Sequence, residues 1–189
     1  MESTNNNQKA AEDESTSPKE QAADFDLTGQ LVWPGALLLN DYLAKNAEML
    51  QGCSIIELGS GVGVTGILCS RFCPQLLLTD HNDEILKKNI ELCASSENPN
   101  CCAELAAEKL EWGNSDHIDQ ILQRYSRGFD LILGADIYIL LLRICPTRVI
   151  MDSLIMKQAA EHGMRMVEVT GTRSVVGNLE GVIFEVALQ

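Results

Sequence analysis

An α/β fold built on a parallel sheet is what this sequence predicts, and three observations carry the prediction. The run Ser54-Ile55-Ile56-Glu57-Leu58 is short, apolar and rich in β-branched residues. It breaks into Gly59-Ser60-Gly61-Val62-Gly63 before helical spacing resumes. Two further apolar runs, Gln75 to Asp80 and Phe129 to Asp136, have the length of buried strands, and each ends in an acid. Segments with helical spacing separate the runs, as right-handed crossovers between parallel strands require.

From Met1 to about Asp26 the chain is Asn, Gln, Glu, Ser and Ala with almost nothing to bury. Residues 1–26 read as a disordered acidic tail, and 27–189 as one folded domain. Trp33 stands directly before Pro34 and leads into a helical pattern through Leu37, Leu38, Leu39, Tyr42 and Leu43, with Pro34 suited to the first turn. Trp33 reads either as a core aromatic or as part of a cofactor wall.

The strand, turn and helix from Ser54 to about Phe72 follow, with Gly59, Gly61 and Gly63 at alternate positions. A missing Cβ lets a ligand approach the backbone, such turns often need positive φ, and the helix behind them offers unpaired N–H groups and the positive end of its dipole. Gln75 to Asp80 is the second strand. Asp80 at its end reads as the acceptor of both hydroxyls of an adenosine ribose, or as a plain helix N-cap. Asp83 to Ser95 has helical spacing. Cys101 to Glu111 fits strand and helix alike, and its context favours a third strand ending near Leu110. Trp112, just past it, is placed to stack on a purine or to pack against the next helix. Asp116 to Tyr125 is a helix closed by Ser126-Arg127-Gly128, and Phe129 to Asp136 is the fourth strand. Beyond lie a helix over Met151 to His162 ended by Gly163, a strand over Met164 to Val169, a polar loop over Gly171 to Glu180, and a last strand over Gly181 to Leu188.

Composition bounds the function. At 189 residues and 46% hydrophobic content one sizeable core is the default. A formal net charge of -13 and a pI near 4.5 argue against nucleic acid as the main partner and either suit a basic protein or peptide or only keep the protein soluble. Seven scattered cysteines without C-x-x-C spacing read as reduced thiols of a cytoplasmic or nuclear protein. Three histidines far apart in sequence offer no zinc spacing, so no metal is expected. No secretory signal and no apolar run of roughly 18 residues is evident, so a membrane role is not expected either. Oligomeric state is not readable from the sequence.

Two ligand classes fit the glycine turn. Gly61 to Gly66 satisfies G-x-G-x-x-G with Asp80 about 20 residues on, which is the dinucleotide pattern. Glu57 separates them: it stands two residues ahead of the first glycine, where its carboxylate faces the crevice. A pyrophosphate is repelled there, whereas the amino group and sulfonium of S-adenosylmethionine are attracted. A structural turn without ligand is the third reading.

Trp33-Pro34 before a helix, Glu57-Leu58-Gly59-Ser60-Gly61-Val62-Gly63, Thr79-Asp80, Trp112-Gly113 and Gly134-Ala135-Asp136, in this order, resemble the seven-strand methyltransferases of family 16. The best-known members are protein-lysine methyltransferases. The resemblance runs from about Leu27 to the end, so that 27–189 becomes a methyltransferase domain. It implies a Rossmann-like class I sheet with helices on both faces and an antiparallel C-terminal strand pair. It also implies S-adenosyl-L-methionine as cofactor, bound by Trp33, Glu57, Gly59, Gly61, Gly63, Asp80, Trp112 and Asp136, with Asp80 on the ribose and Trp112 beside the adenine. Asp136, at the rim where methyl donor and acceptor meet, and Tyr138 are the implied catalytic residues. The implied substrate is a protein side chain, lysine before arginine or histidine.

The chain departs from the family just after Asp136. The family has a tyrosine three positions on; here Tyr138 comes two on, with Ile139 third. Ile139 to Ile144 looks like the next strand, yet parallel neighbours need a crossover of about a dozen residues. The sequence therefore reads as a member lacking one crossover helix, as an alternatively spliced product would. Apolar surface should then be exposed where that helix would lie. A non-catalytic, cofactor-binding relative and a nicotinamide-dependent oxidoreductase are the competing readings.

Overall fold

The computed structural model describes residues 30–95, 103–137 and 156–188. The tail expected over residues 1–26, Tyr138 and the run Ile139 to Ile144 lie outside the described residues. In chain order the elements are α1 (Pro34–Lys45), a 3-10 turn (Ala47–Leu50), β1 (Ser54–Leu58), α2 (Val64–Cys69), β2 (Gln75–Asp80), α3 (Asp83–Ser95), β3 (Glu104–Lys109), α4 (Ser115–Arg124) and β4 (Leu131–Gly134). A helical stretch over 156–161 precedes β5 (Met164–Glu168), β6 (Ser174–Val176), β7 (Leu179–Gly181) and β8 (Phe184–Leu188).

Strands β1 to β4 form one parallel sheet in the order β3-β2-β1-β4. Alternation along the strands sends Ile55, Leu76, Leu78 and Leu133 to one face, where they meet Leu39 and Leu43 of α1, Cys69 of α2 and Leu86 of α3. Ile56 and Leu77 point to the other face and pack on Ile121 of α4. With both faces covered, β1 and β2 must be apolar almost throughout, which is why they stand out in the sequence. Each fully buried Leu or Ile here contributes about 1.5–3 kcal/mol.

Local chemistry sets the boundaries. Trp33 is extended (φ -82, ψ 154) and Pro34 takes the first helical position of α1. The Asn114 side chain accepts the Asp116 N–H at 3.1 Å, so α4 begins at Ser115, one residue earlier than its apolar spacing shows. The Asp130 carboxylate accepts both the N–H (2.8 Å) and the hydroxyl (2.9 Å) of Ser54, pinning the start of β4 to the start of β1.

Within the ambiguous stretch, Glu104–Lys109 is a strand, because β2 supplies a parallel partner over six residues, Gln75↔Glu104 to Asp80↔Lys109. Three expectations are corrected. The helix after the glycine turn ends at Cys69, not near Phe72. The stretch Gly171 to Glu180 is not a plain loop: it holds the hairpin β6–β7, turned at Gly177 with φ 63. Gly181 belongs to that hairpin, so the last strand begins at Phe184. The hairpin lies on α1, with Leu38 Cδ2 2.7 Å from where a Cβ on Gly181 would be.

Strands β5 and β8 pair antiparallel, as the resemblance implied. Among the described residues β4 pairs only with β1, and the four-stranded sheet stops there. Ile132, next to the buried Ile56 in register, is 64% exposed. The stretch from which a covering crossover would come, residues 138–155, lies outside the described residues.

Candidate functional site

The carboxyl ends of β1, β2, β3 and β4 converge with the start of α1, and every candidate residue among those described stands there. Gly59, Gly61 and Gly63 have φ of 63, 54 and 81, so the loop demands glycine at alternate positions. The loop is fastened from both sides. Ser60 N–H donates to Thr79 O (2.9 Å), the Ser60 hydroxyl accepts Thr79 N–H (3.2 Å), and the Thr79 hydroxyl donates to Glu57 O (2.7 Å). From α3, Asn89 Nδ2 donates to Val62 O at 2.8 Å. Behind the loop, a Cβ on Gly66 would overlap Leu78, so α2 lies close on the sheet.

Glu57 is only 2% exposed. Its Oε2 accepts the Gly66 N–H at 3.1 Å at the start of α2. The sequence reading turned this carboxylate toward the crevice; it instead lies beneath the loop, because period-two alternation in β1 directs its side chain to the face that α2 covers. Burial raises its pKa from 4.5 to about 7, against the opposing pull of the Ser60 hydroxyl, the Gly66 N–H and the Thr65 hydroxyl. It forms the floor of a small cavity of about 40 Å³ bordered by Trp33, Gly59, Gly61 and Ala135. Burial also pushes the Cys69 thiol up to about 12, with Glu57 and Cys73 adding to the effect, which makes it unreactive.

Asp80 is 8% exposed and has both oxygens engaged. Gly61 N–H donates to Oδ2 at 2.9 Å, Asn82 N–H donates to Oδ1 at 3.3 Å, and His81 Nδ1 lies 2.6 Å from Oδ1. Asp80 is not the N-cap of α3, which begins three residues on at Asp83; its carboxylate instead closes the turn at Asn82 and holds the glycine loop at Gly61. Beside it is an open cleft of about 670 Å³ lined by His81, Glu111, Trp112, Asn114 and Asp116. Trp112 is 60% exposed on this cleft. It does not pack into the neighbouring helix, and its ring edge comes within 3.9 Å of where a Cβ on Gly59 would be.

Asp136 follows β4 with φ 55, and its carboxylate occupies the space a side chain on Gly35 would fill at the start of α1. The structure thus gathers Trp33, Glu57, Gly59, Gly61, Gly63, Asp80, Trp112 and Asp136 around one set of strand ends. Ser60, Thr79 and Ala135 stand inside the sequence motifs without a role read for them, and Asn89 lies outside every motif. A polar Thr79 within an apolar strand was a usable signal; Asn89 gave none, because its partner Val62 is 27 residues away.

The loop amides discriminate between ligands. Gly61 and Gly66 N–H donate to the Asp80 and Glu57 carboxylates, Gly63 N–H donates to Ser60 O (2.7 Å), and Ser60 N–H to Thr79 O. A pyrophosphate laid over this turn would find those donors taken and two carboxylates nearby. Negative charge at Asp80 disfavours the pyrophosphate and not a cationic nucleoside.

A protein-family model described as lysine methyltransferase matches residues 13–157. Over 110 residues the chain is 38% identical to protein N-lysine methyltransferase METTL21A of Mus musculus, covering 57% of this chain and 46% of that protein. Over 109 residues it is 37% identical to EEF1A lysine methyltransferase 3 of Xenopus tropicalis, covering 56% and 43%. It is also 33% identical over 107 residues to the histone-arginine methyltransferase METTL23 of Homo sapiens, covering 57% and 53%. The chain spans about half the length of these curated relatives.

Proposed function

The chain belongs to the lysine methyltransferase family 16, and from that premise we propose that it transfers a methyl group from S-adenosyl-L-methionine to a protein side chain, lysine first. The observation that carries this reading is the pair of carboxylates at the glycine turn, Asp80 on Gly61 N–H in the loop and Glu57 on Gly66 N–H in the first turn of α2. They favour a nucleoside that carries positive charge. Relatives named for lysine support the acceptor, and one named for histone arginine keeps arginine as the alternative.

In this proposal Asp80 faces the ribose hydroxyls, Trp112 stacks on the adenine across the open cleft, and Gly59, Gly61 and Gly63 let the ligand approach the backbone. Trp33 and Glu57 border the amino-acid end. When bound, the cofactor supplies an electrophilic methyl on a sulfonium. The protein's part is to hold donor and acceptor in line and to solvate charge as it moves from sulfur to nitrogen. Asp136 orients the acceptor nitrogen, and solvent takes its proton. A net charge of -13 suits a basic segment as the substrate. The scattered cysteines without paired spacing suit the cytoplasm or nucleus.

Isothermal titration of the full chain with S-adenosylhomocysteine and with NAD tests the cofactor, and tighter NAD binding refutes it. Transfer of labelled methyl from S-adenosylmethionine into a cell extract, with and without prior acetylation of lysines, tests the reaction and the acceptor. The departure from the family pattern after Asp136, with Ile132 64% exposed beside a β4 that pairs only with β1 among the described residues, favours a second reading in which the cofactor binds without turnover. Homocysteine-nucleoside binding without any transferred label would select it.

A further inference from the structure

We propose that the Asp136-Ile137 turn is an internal plug over the cofactor cup, and that the nucleoside must displace Ile137 to bind; the proposal rests on the S-adenosylmethionine reading above. The cup depends on bare glycine Cα positions at strand ends. Two of them are covered by one side chain. A Cβ on Gly134 would meet Ile137 Cδ1 at 2.8 Å, and a Cβ on Gly59 would meet Ile137 Cγ2 at 3.3 Å, with Trp112 Cζ2 at 3.9 Å. Ile137 and Trp112 therefore both approach Gly59, which borders the small cavity above Glu57.

The volumes agree with a closed seat. The cavity bordered by Trp33, Glu57, Gly59 and Ala135 is about 40 Å³, close to the volume of one water molecule, whereas the cleft beside Trp112 is about 670 Å³. A nucleoside can lie in the cleft, but Ile137 occupies the space over Gly59 and Gly134 that the rest of the cofactor would need.

The backbone shows how the plug is held and why it yields. Asp136 sits at φ 55, in the left-handed region that aspartate visits more readily than most residues with a Cβ, and Gly35 leaves room for its carboxylate. Rotation of Asp136 toward negative φ leaves that conformation, lifts Ile137 from Gly59 and Gly134, and frees the carboxylate from Gly35. Arrival of the cofactor and presentation of the rim acid are thus one movement.

The test compares S-adenosylhomocysteine affinity of the full chain with that of Ile137→Ala by isothermal titration, and follows NOEs from the Ile137 methyls to the Gly59 and Gly134 α-protons in the unsubstituted chain. Removing the plug should tighten binding by about tenfold, roughly 1.4 kcal/mol, and the NOEs should vanish at saturation. Equal or weaker binding by Ile137→Ala, or NOEs that persist at saturation, overturns the plug and leaves the cofactor reading standing. Absence of binding by both proteins overturns the two together. If Ile137→Ala does not fold, the NOE experiment alone decides.

Discussion

Glu57→Gln is the most informative substitution, because it changes a charge and almost nothing else. Glu57 is 2% exposed, and burial raises its pKa from 4.5 to about 7. The folded state therefore holds a proton that the unfolded chain releases above pH 4.5. Its contribution to stability is complete below the unfolded value and is lost as pH rises through about 7. At about 1.4 kcal/mol per pKa unit the difference amounts to roughly 3 kcal/mol. Glutamine keeps a carbonyl oxygen for the Gly66 N–H, so the loop hydrogen bond survives. Urea unfolding of both proteins at pH 4.5 and pH 8 reads the effect, and the other carboxylates cancel in the comparison. The native chain should lose about 3 kcal/mol relative to Glu57→Gln between those values. A difference independent of pH refutes the reasoning. The same ionisation favours a sulfonium, so S-adenosylmethionine affinity should rise with pH through 7 in the native chain and stay flat in the variant.

Three other substitutions test separate parts of the site. Asp80→Asn keeps the shape but removes the charge that accepts Gly61 N–H, and S-adenosylhomocysteine affinity should fall about 10- to 150-fold, roughly the 1.5–3 kcal/mol of a hydrogen bond to a charged group; unchanged titration would remove Asp80 from the site. Trp112→Ala should weaken the same ligand by about 1 kcal/mol while the thermal midpoint of the free protein stays put, since the ring is 60% exposed. Gly66→Ala drives a methyl into the fully buried Leu78 and should cost about 2 kcal/mol, read by calorimetry as a fall of about 4–8 °C.

Much of the fold was readable because a strand buried on both faces cannot hide. Ile55 and Ile56 must both be apolar when α1–α3 cover one face of the sheet and α4 the other. Glycine at 59, 61 and 63 was readable for a local reason as well, since positive φ excludes most other residues there. The hairpin β6–β7 went unseen because three-residue strands with exposed side chains carry no period to detect. The start of α4 was missed by one residue, since a capping side chain acts outside the apolar pattern.

What the sequence determined by itself is the order of strands and helices, the position of the glycine bend, and the acids and indole at the strand ends, each of which follows from a period or a backbone conformation a few residues long. The tertiary structure alone decided that Glu57 turns under the loop, that Asp80 holds Gly61, that Asn89 reaches Val62, and that Ile137 covers Gly59. Those facts depend on partners 9 to 78 residues apart along the chain, and on which way a side chain points once packing has excluded water. No local pattern encodes a direction that only the assembled neighbours impose.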